Sequence, residues 1–281
     1  MKIAVIGATG VLGRHVVPRL VERGHQVRAI ARRPQEIKRL RRMGVEAVSG
    51  DILLPDNLVP ATAGCEAALH LATAVPRPGT NPDWSLNDRI RRQGTRNFIA
   101  ACQANGLRRY LQMSITLLHG DHGANIIDED AAVQPDIVTQ SAVDMEALVR
   151  GASFEWCILR GGLFYGPATG REDEWRRAAR AVTLQIPGDG TGLMSLVRAV
   201  DMARAVVMAV ERAPAGSIYH VVDDRPVECR TLYRYLAAQV DGPEPELGGE
   251  AILPSLGCSN GRLKADLGWE PLYPTYQAGL A

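Results

Sequence analysis

The chain opens on a short apolar run, Lys2 to Ile6, that breaks into three glycines spaced by three, Gly7-Ala-Thr-Gly10-Val-Leu-Gly13. Such a run suits a strand buried on both faces of a parallel sheet. It leads into an amphipathic stretch carrying Val16, Val17, Leu20 and Val21, so the glycines lie between a strand and a helix. In that setting each glycine has a task. Gly7 lets the chain turn out of the strand, Gly10 leaves the backbone open to a pyrophosphate, and Gly13 lets the helix pack close to the sheet. The helix N-terminus adds unpaired N–H groups and a partial positive charge. Gly7, Thr9, Gly10, Val11, Leu12 and Gly13 are therefore the expected cradle of a dinucleotide.

The end of the second apolar stretch, Val27 to Ala31, bears on which dinucleotide. A cofactor without a 2′-phosphate is held near here by an acidic side chain on its ribose hydroxyls. This chain has Ala31-Arg32-Arg33-Pro34 instead. A guanidinium meets a phosphate through two parallel hydrogen bonds and stays charged. The reading is NADP(H) in preference to NAD(H), with Arg32 the main ligand and Arg33 or Arg14 in support. The same arginines also read as the start of a solvated basic face continuing through Lys38, Arg39, Arg41 and Arg42.

Composition narrows the class. A formal net charge of +1 over 281 residues does not provide the basic surface that nucleic-acid binding requires. No apolar stretch reaches the roughly 18 residues of a membrane span, and the opening run is short for a secretion signal. The five cysteines are scattered, odd in number and never spaced Cys-x-x-Cys, which suits free thiols in a reducing compartment. The expectation is a cytoplasmic protein with a small-molecule substrate, no nucleic-acid or membrane partner, no metal, and a homodimer as one possible assembly.

Strand-like runs recur at Glu46–Ser49, Ala67–Ala72, Arg109–Ser114 and Glu155–Arg160. Helical patterns separate them, the strongest being Trp84–Asn105 and Asp136–Arg150. This alternation predicts an α/β fold with a doubly wound parallel sheet. Beyond Arg160 the texture turns to loop-forming clusters at Gly161-Gly162, Tyr165–Gly170 and Pro187–Gly190. Residues 1–160 are expected to form the NAD(P)-binding Rossmann core. Residues 161–281 are expected to be mainly a small substrate-binding lobe, with a segment near 200–225 returning to the core. Asp241–Glu250 and the acidic run Asp128–Asp130 read as solvated loops, and Trp84, Trp156 and Trp175 as packing residues.

These residues together resemble the extended short-chain dehydrogenase/reductase family, the epimerase/dehydratase-like proteins, over nearly the whole chain. The resemblance rests on the glycine turn, Gly50-Asp51-Ile52, His70-Leu-Ala72-Thr73-Ala74 and Gly94-Thr95-Arg96-Asn97. It is extended by Leu159-Arg160-Gly161-Gly162-Leu163-Phe164-Tyr165-Gly166-Pro167, by Val200-Asp201-Met-Ala203 and by the tail Leu267-Gly-Trp-Glu-Pro271. It implies that Asp51 and Ile52 border the adenine and that Ala72, Thr73 and Ala74 line the ribose and diphosphate path. It also implies that Gly161, Gly162 and Leu163 run beside the nicotinamide, with Ser114 near the nicotinamide ribose and the substrate.

The family's chemistry uses a Tyr and, four residues on, a Lys on one helical face, where the ammonium lowers the phenol's pKa and holds the ribose. Here the corresponding places hold Val138 and Ala142, with no Tyr between Tyr110 and Tyr165 and no Lys between Lys38 and Lys264. The candidate catalytic groups are then Ser114, Thr116, His119 and Tyr165, or water, and Tyr165 and Arg198 are candidate substrate contacts. The chain reads as an atypical member of this superfamily. The leading function is an oxidoreductase on a small or mid-sized polar carbonyl or hydroxyl compound. A non-catalytic NADP(H)-binding regulator or redox sensor, and more weakly an epimerase or dehydratase, stand beside it.

Overall fold

Parallel strands covered on both faces require unbroken apolar runs, and Ile3 to Ile6 meet that demand, each at most 4% exposed. The computed structural model of the chain describes residues 1–76, 83–250 and 253–281. Its central sheet comprises β1 (Lys2–Ile6), β2 (Gln26–Ala31), β3 (Glu46–Ser49), β4 (Ala67–His70), β5 (Arg109–Ile115), β6 (Glu155–Gly161) and β7 (Ser217–Val221). The seven strands lie in the order β7-β6-β5-β4-β1-β2-β3, and β1 to β5 run parallel. The strand order reverses at β1, the doubly wound arrangement expected from the alternation of elements. Ile3 is paired with both Val27 and Ala67, so β1 has a neighbour on each side.

The chain packs as two compact units. The first holds Met1–Ile115, Asp136–Leu159 and Ala203–Ile218. Its helix α1 (Val11–Glu22) buries Leu12, Val16, Val17 and Leu20, and α2 (Pro34–Arg42) buries Ile37 and Leu40. After α3 (Leu58–Thr62), the stretch expected as one long helix is instead α4 (Ser85–Arg89), a π-helical turn at Ile90–Gly94, and α5 (Thr95–Ala104). The wide turn lets Gly94 lie against Ile52, where an added Cβ would come within 3.1 Å. A helix expected from Asp136 begins as α6 at Gln140 and runs to Arg150. Asp136 accounts for the difference, because its carboxylate takes the amides of Val138 and Thr139 and the Thr139 hydroxyl. A side chain that competes for backbone in this way favours a turn over a helix.

The second unit holds Thr116–Pro135, Arg160–Met202 and Tyr219–Ala281. Thr116–Pro135 was expected in the core, yet it is joined to the tail region. Ile126–Ile127 pairs in parallel with Gly257–Cys258, and the Asp121 carboxylate accepts the Ser255 amide at 2.9 Å. The Asp241–Glu250 loop likewise contributes a short strand, Leu247–Gly249, paired with Ile186–Pro187. Two apolar clusters form, one around Tyr165, Trp175, Leu232 and Tyr276 and another around Ile127, Val222, Leu256 and Cys258. Two of the family-like motifs meet here. The Asp201 carboxylate accepts the amides of Leu272 and Tyr273, and the Trp269 indole N–H donates to the Asp201 carbonyl. Helix α7 (Arg171–Arg180) also belongs to this unit, and α8 (Ala199–Arg212) begins here.

Within the first unit, His70 at the end of β4 is fully buried against Phe98 and Thr95. Burial lowers its pKa to about 4. The unfolded chain therefore takes up a proton near pH 6.5 that the folded chain takes up only near 4. Stability is full above the unfolded value and falls between pH 6.5 and about 4. Denaturation across this window is expected to show the parent losing stability relative to His70→Asn, on the order of 3 kcal/mol in total.

Candidate functional site

The β1–α1 turn sorts its three glycines by what each would collide with. Gly7 has φ +86°, and a Cβ there would sit 2.5 Å from the Ala72 backbone nitrogen. At Gly13 a Cβ would sit 2.3 Å from the Gly7 carbonyl. Both positions need glycine for the fold itself. Gly10 does not, because a Cβ there would meet only the Gly7 carbonyl, at 3.4 Å. Gly10 is itself the N-cap of α1 and carries no side-chain cap. Among the described residues no side chain caps the first-turn amides, and an anion fits them. The residues present suit a dinucleotide pyrophosphate.

The other expected cofactor positions of the first unit have distinct surroundings. Arg32, just past β2, is 63% exposed and 4.0 Å from the Asp51 carboxylate. Arg33 is equally exposed and loosely paired with Glu36 at 3.4 Å, while the Arg14 Nε donates to the Thr9 carbonyl, which keeps it beside the glycine turn. Asp51 also accepts the Leu53 amide. Ile52 is buried in the core, and its carbonyl accepts from Asn97. The loop after β4 is held by a residue the sequence reading passed over. The Asn87 amide oxygen accepts from the Thr73 hydroxyl at 2.9 Å and the Ala74 amide at 3.1 Å. Its only sequence signal is its place in the first turn of a helix following that loop.

Ser114 lies near the end of β5 with 2% of its surface exposed, and its hydroxyl donates to Glu146 at 2.7 Å. Glu146, on α6 and 1% exposed, also takes Arg150 at 2.7 Å. The α6 pattern therefore supplies a buried carboxylate to β5, a pairing that no local motif announces. Ala142 is fully buried in the first turn of α6, and Val138 lies in the turn before it.

In the second unit the expected proton donors are turned inward. His119 is fully buried, with Nδ1 3.0 Å from the Ala132 carbonyl and Nε2 3.1 Å from the Arg160 guanidinium. The carbonyl requires a proton on Nδ1, and the guanidinium requires a lone pair on Nε2. His220 Nε2, 3.0 Å away, then donates to the same lone-pair side. Burial first, then the nearby His119 and Arg160, lowers the His220 pKa to about 3. Glu129, in the acidic run read as solvated, is 7% exposed, accepts the His220 amide and pairs with Arg262. His119 is thus part of an internal network.

Tyr165 is engaged within the unit in the same way. It is fully buried, its hydroxyl donates to Asp223 at 3.0 Å, and its ring lies against Gly279, where a Cβ would overlap it. Burial and the Asp223 carboxylate push its pKa above the usual phenol range, and burial lifts that of Asp223 to about 8. Arg198 stacks 3.8 Å over the Tyr273 ring and bonds to the Gly279 carbonyl, so it anchors the tail. Thr116 is 1% exposed and donates to the Gly161 carbonyl at 3.4 Å. Gly162 passes against the Ser195 carbonyl, which leaves no room for a side chain, and Leu163 donates its amide to that same carbonyl.

A doubly wound sheet whose glycine turn leaves room for a pyrophosphate defines a dinucleotide-binding protein of the Rossmann kind. The comparisons agree, and the chain belongs to the NAD(P)H-binding family, whose model matches residues 7–213. It is 29% identical to a 3-diazoavenalumate denitrifying reductase of a Streptomyces species, over 100% of this chain and 99% of that protein. It is 31% identical to a 2-alkyl-3-oxoalkanoate reductase of Stenotrophomonas maltophilia, over 86% of this chain and 77% of the relative. In fold it is similar to a dTDP-glucose 4,6-dehydratase from Streptomyces venezuelae solved with NAD, with TM-score 0.87 and 20% identity over 100% and 95% of the two chains. Among the described residues no helix is long and apolar enough to cross a membrane.

The three glycines should separate by experiment. Gly10→Val is expected to keep the melting temperature near that of the parent and to abolish NADPH binding in calorimetry. Gly13→Ala, forced against backbone, is expected to lose roughly 1–3 kcal/mol of stability in denaturant melts. A Gly10→Val chain that still binds NADPH would make the turn purely structural.

Proposed function

We propose that this chain is an NADP(H)-dependent reductase acting on a small or mid-sized polar compound. The observation that carries the cofactor choice is the exposed Arg32 guanidinium just past β2, in the place where an acidic ribose ligand would serve NAD. Arg14, tethered to Thr9, offers a second cation beside the glycine turn. Gly10 and the first-turn amides of α1 hold the pyrophosphate, and the loop Ala72 to Ala74, secured by Asn87, borders its path. When bound, the nicotinamide supplies a hydride. The reductase names borne by relatives at 29% and 31% identity support that direction of chemistry.

The proton side of the reaction limits the substrate. Val138 and Ala142 cannot ionise, His119 and Tyr165 are committed inside their unit, and the Ser114 hydroxyl is donated to Glu146. A reduced carbonyl oxygen keeps an electron pair that must be protonated, so its proton comes from water. A substrate that takes hydride at carbon and loses a neutral group carrying the old bonding pair needs no proton from the protein. A diazonium carbon is of this second kind, since the C–H bond forms as the C–N bond breaks and dinitrogen leaves. The full-length relative named as a denitrifying reductase favours this second reading.

The parent chain is expected to bind NADPH more tightly than NADH, and Arg32→Asp to reverse or erase that preference with a loss on the order of 1–3 kcal/mol. Equal affinities for the two cofactors in the parent would overturn the Arg32 assignment. On carbonyl compounds turnover is expected to be slow and free of a tyrosine-like pH step, because general acid–base help is worth about 10² to 10⁴-fold. Steady-state rates from pH 6 to 9 check this. Installing Val138→Tyr with Ala142→Lys should raise the carbonyl rate while leaving a diazonium rate unmoved.

A further inference from the structure

Arg91 sits in the π-helical turn Ile90–Gly94, with 6% of its surface exposed. One of its terminal nitrogens donates to the Val138 carbonyl at 3.3 Å and to the Ser141 hydroxyl at 3.1 Å. These are the two ends of the stretch that lacks its ionisable pair, Val138 itself and the neighbour of Ala142. Among the described residues no carboxylate pairs with Arg91. Asp88 acts on Arg91 through space while one of its oxygens pairs with Arg92 at 3.5 Å, and Arg92 also takes Asp144 at 2.6 Å. Burial lowers the Arg91 pKa to about 10, which still leaves it charged at neutral pH. An enclosed cation whose one acidic neighbour is shared with another guanidinium is costly unless something else in the protein's working state takes its remaining hydrogen bonds.

Its surroundings indicate what that is. Gly7 of the pyrophosphate turn presses against Ala72, the loop after β4 runs on to Ala74, and Asn87 grips that loop. Arg91 follows Asn87 by about one helical turn. A dinucleotide bound where the strand order reverses would carry its second ribose over the half of the sheet that β4 and β5 begin, the half from which this helix follows. π-turns place side chains that a regular helix would direct elsewhere, and they recur at functional sites.

We infer that Arg91 is the positioning cation for the hydroxyls of the second ribose, reaching in from the π-turn to the edge of α6 where Ala142 carries no charge. The inference rests on the cofactor reading above. The guanidinium would hold two neighbouring hydroxyl oxygens as acceptors and give up no proton, so it positions without acting as an acid.

The test uses two probes on the full chain by calorimetry at neutral pH. NADPH contains the second ribose; adenosine 2′,5′-bisphosphate contains the adenine end only. Arg91→Met is expected to weaken NADPH by roughly tenfold or more, the scale of a hydrogen bond to a charged group, with adenosine 2′,5′-bisphosphate unchanged. Unchanged NADPH affinity, or an equal loss for both probes, would overturn the inference. Should Arg91→Met fail to fold, Arg91→Lys and Arg91→Gln carry the same comparison, with NADPH affinity expected to fall from Arg to Lys to Gln and the bisphosphate flat. Any other order overturns it. A parent chain that binds neither probe would bring down the cofactor reading and this inference together, whereas a parent that binds both alongside insensitive Arg91 variants would bring down this inference alone.

Discussion

The first unit is organised by backbone-to-backbone contact at one corner. Gly7 lies against the Leu71–Ala72 peptide, and Gly13 lies against the Gly7 carbonyl and Ala8. Closeness of this order leaves no room for a side chain at either residue, so β1, the start of α1 and the loop after β4 are held in one arrangement. Everything offered to a dinucleotide follows from it: the open side of Gly10, the uncapped amides of α1, and the loop that Asn87 then secures. Packing and binding thus use the same turn but different glycines.

The second unit is stabilised by a different principle, polar groups buried with their partners. Arg160, His119 and His220 meet in a chain of contacts at 3.0 and 3.1 Å, with Glu129 and Arg262 completing it. Tyr165 and Asp223 form another such pair, and Asp201 takes the amides of the tail. Buried polar groups are costly when unmatched and orienting when matched. This network specifies how segments 116–135, 160–202 and 219–281 come together, although they are widely separated in the chain.

Chemically, the chain combines a retained dinucleotide cradle with an acid–base position emptied of ionisable groups. Val138 and Ala142 are apolar, while Ser114 is drawn toward Glu146 and Arg91 reaches the same α6 edge. Charge at this edge comes from a guanidinium and a carboxylate, which can hold and polarise but do not replace a phenol of lowered pKa. Proton demand is therefore the property on which substrates of this chain would be sorted.

The sequence by itself determined what depends on local pattern. Apolar runs broken by glycine specified β1 and its turn, and the alternation of periods specified the doubly wound sheet, because strand burial and helix amphipathicity are written at fixed short spacings. The same pattern showed that no Tyr and Lys stand on α6. Tertiary structure alone decided which polar residues face one another. His119 and Tyr165 look like available donors along the chain, yet His220 and Asp223, 101 and 58 residues further on respectively, claim them. Thr116–Pro135 followed the same logic, joining the unit that contains its strand partner Gly257–Cys258. Such partners carry no mutual signal in sequence, since a hydrogen bond between distant segments imposes no spacing on either of them.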